Sequence, residues 1–144
     1  MSFNTVGGIL PGGILVVSVY LVTGKGPSQE NISILWDIAA VLTSIGRPFL
    51  IGGDFNMAAD QLRATGWPKL IGADVHTPGT SPTCYGPNGH ASQIDFFCIS
   101  TCLRCIVQRV WVWGSATGIK QHMAVAVALS GNPRCFFHPG PAET

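Results

Sequence analysis

Three short stretches of this chain set acid–base and phosphate-binding residues at the ends of apolar runs. In the first, Ile51-Gly52-Gly53-Asp54-Phe55-Asn56, the run delivers a carboxylate and an amide at its carboxyl end. That is the place where open α/β sheets hold their ligands. Alternation along extended backbone puts Asp54 and Asn56 on one side and Phe55 on the other. An anionic acceptor beside an amide can orient a water and hold a phosphate oxygen, although the same residues also suit an ordinary turn. In the second stretch, Ser92-Gln93-Ile94-Asp95-Phe96-Phe97, Asp95 is the one acidic residue of an apolar strand. It needs a partner if buried, and a solvent-facing position is the alternative. In the third, Lys120-Gln121-His122-Met123-Ala124-Val125, a histidine stands immediately before an apolar strand, where a lone His is more often structural than catalytic.

The elements that must position these residues are legible in outline. Residues 14–22 are rich in Val, Ile and Leu and read as a largely buried strand. Gly24, Gly26 and Pro27 break it, and Ser28 is a plausible N-cap. Ile32, Leu35, Trp36, Ala39, Ala40 and Leu42 then recur at helical spacing as far as Ile45. Gly46-Arg47-Pro48 ends that helix, and residues 49–51 form a short strand stopped by Gly52-Gly53. This strand–helix–strand order predicts an α/β layer. A short helix is expected within residues 57–67, loop over residues 72–88, and strands over residues 93–100, 105–113 and 123–129. Strands predominate after residue 80, so the expected fold is a mixed sheet packed with helices. Residues 1–130 are expected to form one domain, and residues 131–144, with three prolines, a loose tail.

In this order and at these spacings, the three stretches resemble the signatures of the endonuclease/exonuclease/phosphatase family. That family includes DNase I-like nucleases, abasic-site endonucleases, retrotransposon endonucleases and inositol phosphatases. Its signatures are a strand ending in G-D-x-N, then S-x-I-D-[FY], then S-D-H before a final strand. Here they read Gly53-Asp54-Phe55-Asn56, Ser92-Gln93-Ile94-Asp95-Phe96 and Lys120-Gln121-His122. Pro82-Thr83-Cys84-Tyr85 resembles the family's T-[FW] segment, and Val16-Val17-Ser18-Val19-Tyr20-Leu21 the strand ending in the Tyr of Y-x-P-N. The resemblance covers about residues 14–130 and implies a partial DNase I-like α/β/β/α sandwich lacking its N-terminal part.

It also implies metal-assisted hydrolysis of a phosphodiester or phosphomonoester. Asp54 would orient or deprotonate the attacking water and serve as a metal ligand. Asn56 would hold the water and the phosphate. His122 would contact the scissile phosphate, with Asp95 fixing its tautomer, and Tyr20 would also touch the phosphate. The ion would be Mg²⁺ or Mn²⁺, offsetting charge on the leaving oxygen.

The departures predict impaired catalysis in a truncated or degenerate domain. The family's metal-binding Glu belongs upstream of the Tyr20 strand, and Glu30, the first Glu here, lies in the predicted helix. Gln121 replaces the Asp of S-D-H, while Val22 and Thr23 replace the Pro and Asn of Y-x-P-N. An amide is a poor Mg²⁺ ligand beside a carboxylate. The alternative is a non-catalytic module that grips phosphate or nucleic acid through Asn56, His122, Lys120 and Arg63.

Hydrophobic residues make up 47% of the chain and charged residues 10%, against about 25% charged in ordinary domains. Apolar sheet surface is therefore expected to lie open, to be covered by a missing N-terminal half or by self-association. With a net charge of +1 there is no strong field for a polyanion, so a nucleic-acid or other phosphoester substrate rests on the site. The run at 14–22 falls short of the about 20 apolar residues that cross a bilayer, and no basic segment precedes it. These features point away from a membrane and to an intracellular protein, cytoplasmic or nuclear. Of the five cysteines, Cys98, Cys102 and Cys105 form C-x3-C-x2-C, with Cys135 and His138 downstream. A structural zinc can be drawn from these, but Cys98 falls in a strand, where buried free Cys is common. Arg109, Trp111 and Trp113 alternate, as residues covering a sheet face do.

Overall fold

A computed structural model describes residues 1–113 and 121–131. Its framework is a mixed five-stranded sheet in the order β1-β2-β3-β7-β4. These strands are β1 (Ser2–Val6), β2 (Ile14–Tyr20), β3 (Phe49–Asp54), β4 (Ala73–His76) and β7 (Asp95–Ser100). Only β2 and β3 run parallel, and the helix α1 (Gln29–Ile45) joins them, the crossover that a parallel pair requires.

Alternation divides the apolar residues of this sheet between two cores. Leu15, Val17, Val19, Phe49, Ile51, Phe96 and Cys98 face the helices. There they meet Leu35, Ile38, Ala39 and Leu42, spaced to form one stripe of α1. The short helices α2 (Ala59–Ala64) and α3 (Trp67–Leu70) complete this layer through Leu62 and Trp67. The opposite face carries Ile14, Leu50 and Ile99, packed with Leu103 and Ile106 of the 3₁₀ helix Thr101–Ile106. Each fully buried Leu or Ile contributes about 1.5–3 kcal/mol, so both faces of the sheet stabilise the fold.

Beyond the 3₁₀ helix the chain forms a second sheet layer. Strands β8 (Val107–Trp113) and β9 (Ala124–Leu129) pair antiparallel, and Val107, Val127 and Leu129 reach the second core. Just before β9, His122 forms a β-bridge with Cys84. Tyr85 N–H donates to Gln121 O (2.7 Å) and Met123 N–H to Thr83 O (2.8 Å). This extends the layer to the ribbon β5 (Cys84–Tyr85) and β6 (Ala91–Ser92). Between the two sheets lies an open cleft of about 340 Å³, lined largely by Val16, Leu50, Phe97, Met123 and Val125. Here the apolar excess of the composition lies partly uncovered. On β8, the Arg109 guanidinium sits 4.4 Å above the Trp111 ring, and Trp113 is 67% exposed.

The expected elements return with several corrections. The strand at 49–51 does not stop at Gly52-Gly53 but runs through both glycines to Asp54. Residues 72–88, expected as loop, contain β4 and β5. Cys105 and Ile106 belong to the 3₁₀ helix, so β8 begins at Val107. Strand β1 was not foreseen. Ser28 does sit at the N-cap of α1, but its hydroxyl makes no capping bond. Among the described residues no helix is long and apolar enough to cross a membrane. Residues 132–144, most of the expected tail and including Cys135 and His138, lie outside the described residues.

Candidate active site

Sheet register assembles the site. Tyr20 of β2 pairs with Asp54 of β3, and Asp54 pairs with Asp95 of β7. Directly paired residues share a sheet face, so the three side chains start from one row, on the side of the second layer. Two carboxylates opposite one another repel, and His122 comes down from the second layer to meet both. Its Nδ1–H donates to Asp95, at 3.0 Å from Oδ2 and 3.2 Å from Oδ1. Its Nε2 lies 3.5 Å from Asp54 Oδ2. The bond to Asp95 fixes the tautomer and leaves Nε2 facing Asp54.

Asp54 is also held from below. Its Oδ1 accepts the Asn56 N–H at 2.8 Å, a turn in which an Asp side chain substitutes for backbone. Asn56 itself takes a left-handed conformation, φ 47°, which Asn tolerates better than most residues. Its Nδ2 donates to Leu21 O at 2.6 Å, tying the end of β3 to the chain leaving β2. Phe55 points the other way and stacks on Phe96, with ring centroids 4.4 Å apart. Burial raises the Asp54 carboxyl above the ordinary range and Asp95 adds to the rise, against the Asn56 N–H and His122.

Two positioning residues escaped the sequence reading as actors. Thr83 was noted only as part of a motif, yet it is fully buried and its Oγ1 accepts the N–H of both Ile94 and Asp95 at 3.0 Å. Thr83 thus sets the entry of β7 and, through its own carbonyl, the approach of Met123 and His122. Asn31, fully buried on α1, accepts the Val22 N–H and donates to Val22 O and Gly26 O. It anchors the loop after Tyr20. A polar residue one turn before Leu35 on an apolar stripe was the available signal. Thr83→Val is expected to lower stability by about 2–3 kcal/mol, since two buried donors lose their acceptor. Urea denaturation checks this, and a loss below about 0.5 kcal/mol would remove Thr83 from this role.

The other proposed residues are distributed differently. Tyr20 is 64% exposed, and its hydroxyl pairs with Thr23 Oγ1 at 3.1 Å. Arg63 lies on α2 in the helix layer, paired with Asp60 at 2.8 Å. Lys120 lies outside the described residues. Cys98 is buried in the core while Cys102 and Cys105 are exposed, so among the described residues C-x3-C-x2-C gathers no metal site. Cys84 was not singled out as a ligand, yet its Sγ lies 3.8 Å from His122 Nε2. Burial, then Asp95 and Asp54, push its thiol up. Asp54, Asp95 and His122 each offer a ligand atom, all within 4.8 Å of one another, a group able to hold a metal ion.

The mixed sheet, its crossover helix and the second layer make up the endonuclease/exonuclease/phosphatase, or DNase I-like, fold. Solved structures of that fold match the chain. The 3′ phosphatase NExo from Neisseria, bound to a product DNA hairpin, has a TM-score of 0.64 at 16% identity, over 89% of this chain and 63% of that one. The endonuclease domain of TRAS1, a telomere-specific non-LTR retrotransposon, gives 0.59 at 17% identity, over 81% and 56%. Cytolethal distending toxin from Actinobacillus actinomycetemcomitans gives 0.60 at 19% identity, over 81% and 49%. The chain therefore spans between 49% and 63% of the length of these structures. No protein-family model and no curated protein sequence matches it.

Proposed function

We propose that this chain hydrolyses phosphodiester bonds in nucleic acid with a divalent metal ion, at a rate limited by an incomplete metal site. The observation that carries this reading is His122 held between two carboxylates, Nδ1 on Asp95 and Nε2 facing Asp54. Asp54, its carboxyl raised by burial, takes a proton from the attacking water more readily than an ordinary Asp. Asp95 holds the imidazole so that Nε2 meets a phosphate oxygen, and Asn56 and Tyr20 position water and phosphate. A nucleic-acid substrate is favoured because the matched Neisseria enzyme is bound to a DNA product.

The donor set fits Mg²⁺ or Mn²⁺, since such ions are held by one or two carboxylates together with water and substrate phosphate. Asp54, one of three residues whose ligand atoms lie within 4.8 Å of one another, would hold the ion. When bound, it offsets charge on the leaving oxygen. Gln121 adds no carboxylate, and its φ of 86° belongs to a backbone tied to Tyr85. Slow turnover follows. In supercoiled-plasmid nicking with Mg²⁺ or Mn²⁺, we expect slow, EDTA-sensitive conversion that Asp95→Asn reduces about 10–100-fold. If well-folded protein binds DNA in EDTA yet never nicks it, the chain is a binding module and the hydrolytic reading fails.

A further inference from the structure

We infer that the outer face of β8 is a docking shelf for single-stranded DNA, on which Trp113 stacks against a base and Arg109 holds a phosphate. The pairing register defines that face. Val125 lines the inter-sheet cleft, and Val127 and Leu129 reach the second core. The alternate residues Ala124, Ala126 and Ala128 therefore point outward. Trp113, Trp111 and Arg109 pair directly with those three alanines and share their side of the sheet. An alanine side chain rises little above the backbone, so nothing in β9 shields the indole of Trp113, which is 67% exposed. A single exposed apolar residue is ordinary on a protein surface. Here it continues a row that holds a second indole and a cation.

The cation is set in place for an anion. The Arg109 guanidinium lies 4.4 Å above the Trp111 ring, a contact that orients the planar group while its edge N–H donors stay available. Arg109 is exposed and pairs with no carboxylate among the described residues. Arg63 and Arg104, by contrast, are each bonded to an aspartate. A cation beside open aromatic rings complements a phosphate backbone whose bases are unpaired. A duplex keeps its bases stacked within, and a chain of net charge +1 attracts its denser phosphates only weakly. The alanine row offers no donor or acceptor to a ribose 2′-hydroxyl, which favours DNA over RNA. The shelf also opens toward the site: Trp113 pairs with Ala124, close in sequence to His122, about 7 Å along extended backbone. A base on Trp113 would thus lie within about two nucleotides of the reacting phosphate. That placement rests on the function proposed above, whereas binding to the shelf does not.

The test is fluorescence anisotropy of a labelled oligo-dT of about 12 nucleotides with the full chain, in EDTA so that no hydrolysis intervenes. Trp113→Ala is expected to weaken binding about 5–150-fold, the effect of losing one base stack, and Trp113→Phe to retain most of it. Arg109→Ala should weaken binding and flatten its salt dependence by about one phosphate contact. Trp36→Ala removes an indole that is 56% exposed on α1 and should change nothing. Duplex DNA of the same length and oligo-U should both bind more weakly than oligo-dT. Circular dichroism verifies folding, and should Trp113→Ala fail to fold, Trp113→Gln, bulky but without a ring, takes its place. Unchanged affinity on loss of the Trp113 ring, or tighter binding of duplex or oligo-U, would overturn the shelf. So would a wild type that ignores oligo-dT and self-associates until Trp113 is replaced, since the face would then be a protein interface. Plasmid nicking separates this inference from the hydrolytic one. Oligo-dT binding that depends on Trp113 upholds the shelf even if nothing is ever nicked. Nicking by a chain whose affinity ignores Trp113 sinks the shelf and spares the hydrolytic site.

Discussion

Asp54→Asn is expected to lower metal-dependent nicking about 10²–10⁴-fold, the range for removing a positioned proton-transfer group, while stabilising the folded chain at neutral pH. Asn is nearly isosteric and can still accept the Asn56 N–H that Asp54 Oδ1 accepts at 2.8 Å. What changes is the charge. Asp54 is buried and stands opposite Asp95, and its carboxyl is raised, by burial first and by Asp95 next. The ionised form is therefore less welcome in the folded chain than in the unfolded one.

For a group raised in this way the folded state binds the proton more tightly, so stability falls as pH climbs from the ordinary Asp value of 3.8 to the raised one. Above that window the loss is complete and constant. Neutralising Asp54 removes it, so the variant should melt a few degrees above the wild type at about pH 7, with the gap closing at about pH 3. Melting at both pH values, beside plasmid nicking, measures the two effects on one pair of proteins. A variant that is less stable at neutral pH, or equally displaced at both, would show that burial does not disfavour the Asp54 charge.

The residues that assemble the site were readable because each belongs to a short ordered motif. What the sequence conceals is how they are held together. Asp54 and Asp95 are 41 positions apart, and only the β3–β7 register makes them neighbours. Thr83 looks like an ordinary loop residue until its hydroxyl is seen to accept the backbone at Ile94 and Asp95. Cys84 escaped notice because its proximity to His122 arises from an isolated bridge between distant segments. The missed strands have local reasons. Strand β1 is an edge strand with almost every side chain exposed, so it lacks the alternation that marks a half-buried strand. Strand β4 is also at an edge and carries Asp74 and His76 among its four residues. At Cys105-Ile106, a short apolar run is as compatible with a helical turn as with a strand, and packing of Leu103 and Ile106 into the second core decides for the turn.

Gly53→Ala is expected to destabilise the fold by about 3–5 kcal/mol, a large part of the 5–15 kcal/mol that holds a domain of this size. Glycine normally weakens a strand, which is why the pair Gly52-Gly53 reads as a strand end. In the structure Gly53 lies within β3 and in register with Val19 of β2. Its φ is 146°, where an L side chain is strained by about 1–3 kcal/mol. A Cβ there would land on the Val19 carbonyl oxygen, with the Val19 N and C atoms each at 3.0 Å. These are backbone atoms of the parallel β2–β3 pair, so relief requires β2 and β3 to separate at the point where Tyr20 and Asp54 meet. Gly52 provides the contrast. A Cβ there would approach the Phe97 ring at 2.6 Å, but a ring edge beside the open inter-sheet cleft can move aside. Gly52→Ala should accordingly lose only about 1–2 kcal/mol. Urea denaturation of the two variants measures the difference directly. Equal losses would mean that the β2–β3 backbone gives way as easily as a side chain. Losses in the expected order would show that Gly53 is required by the close approach of the two strands that carry Tyr20 and Asp54.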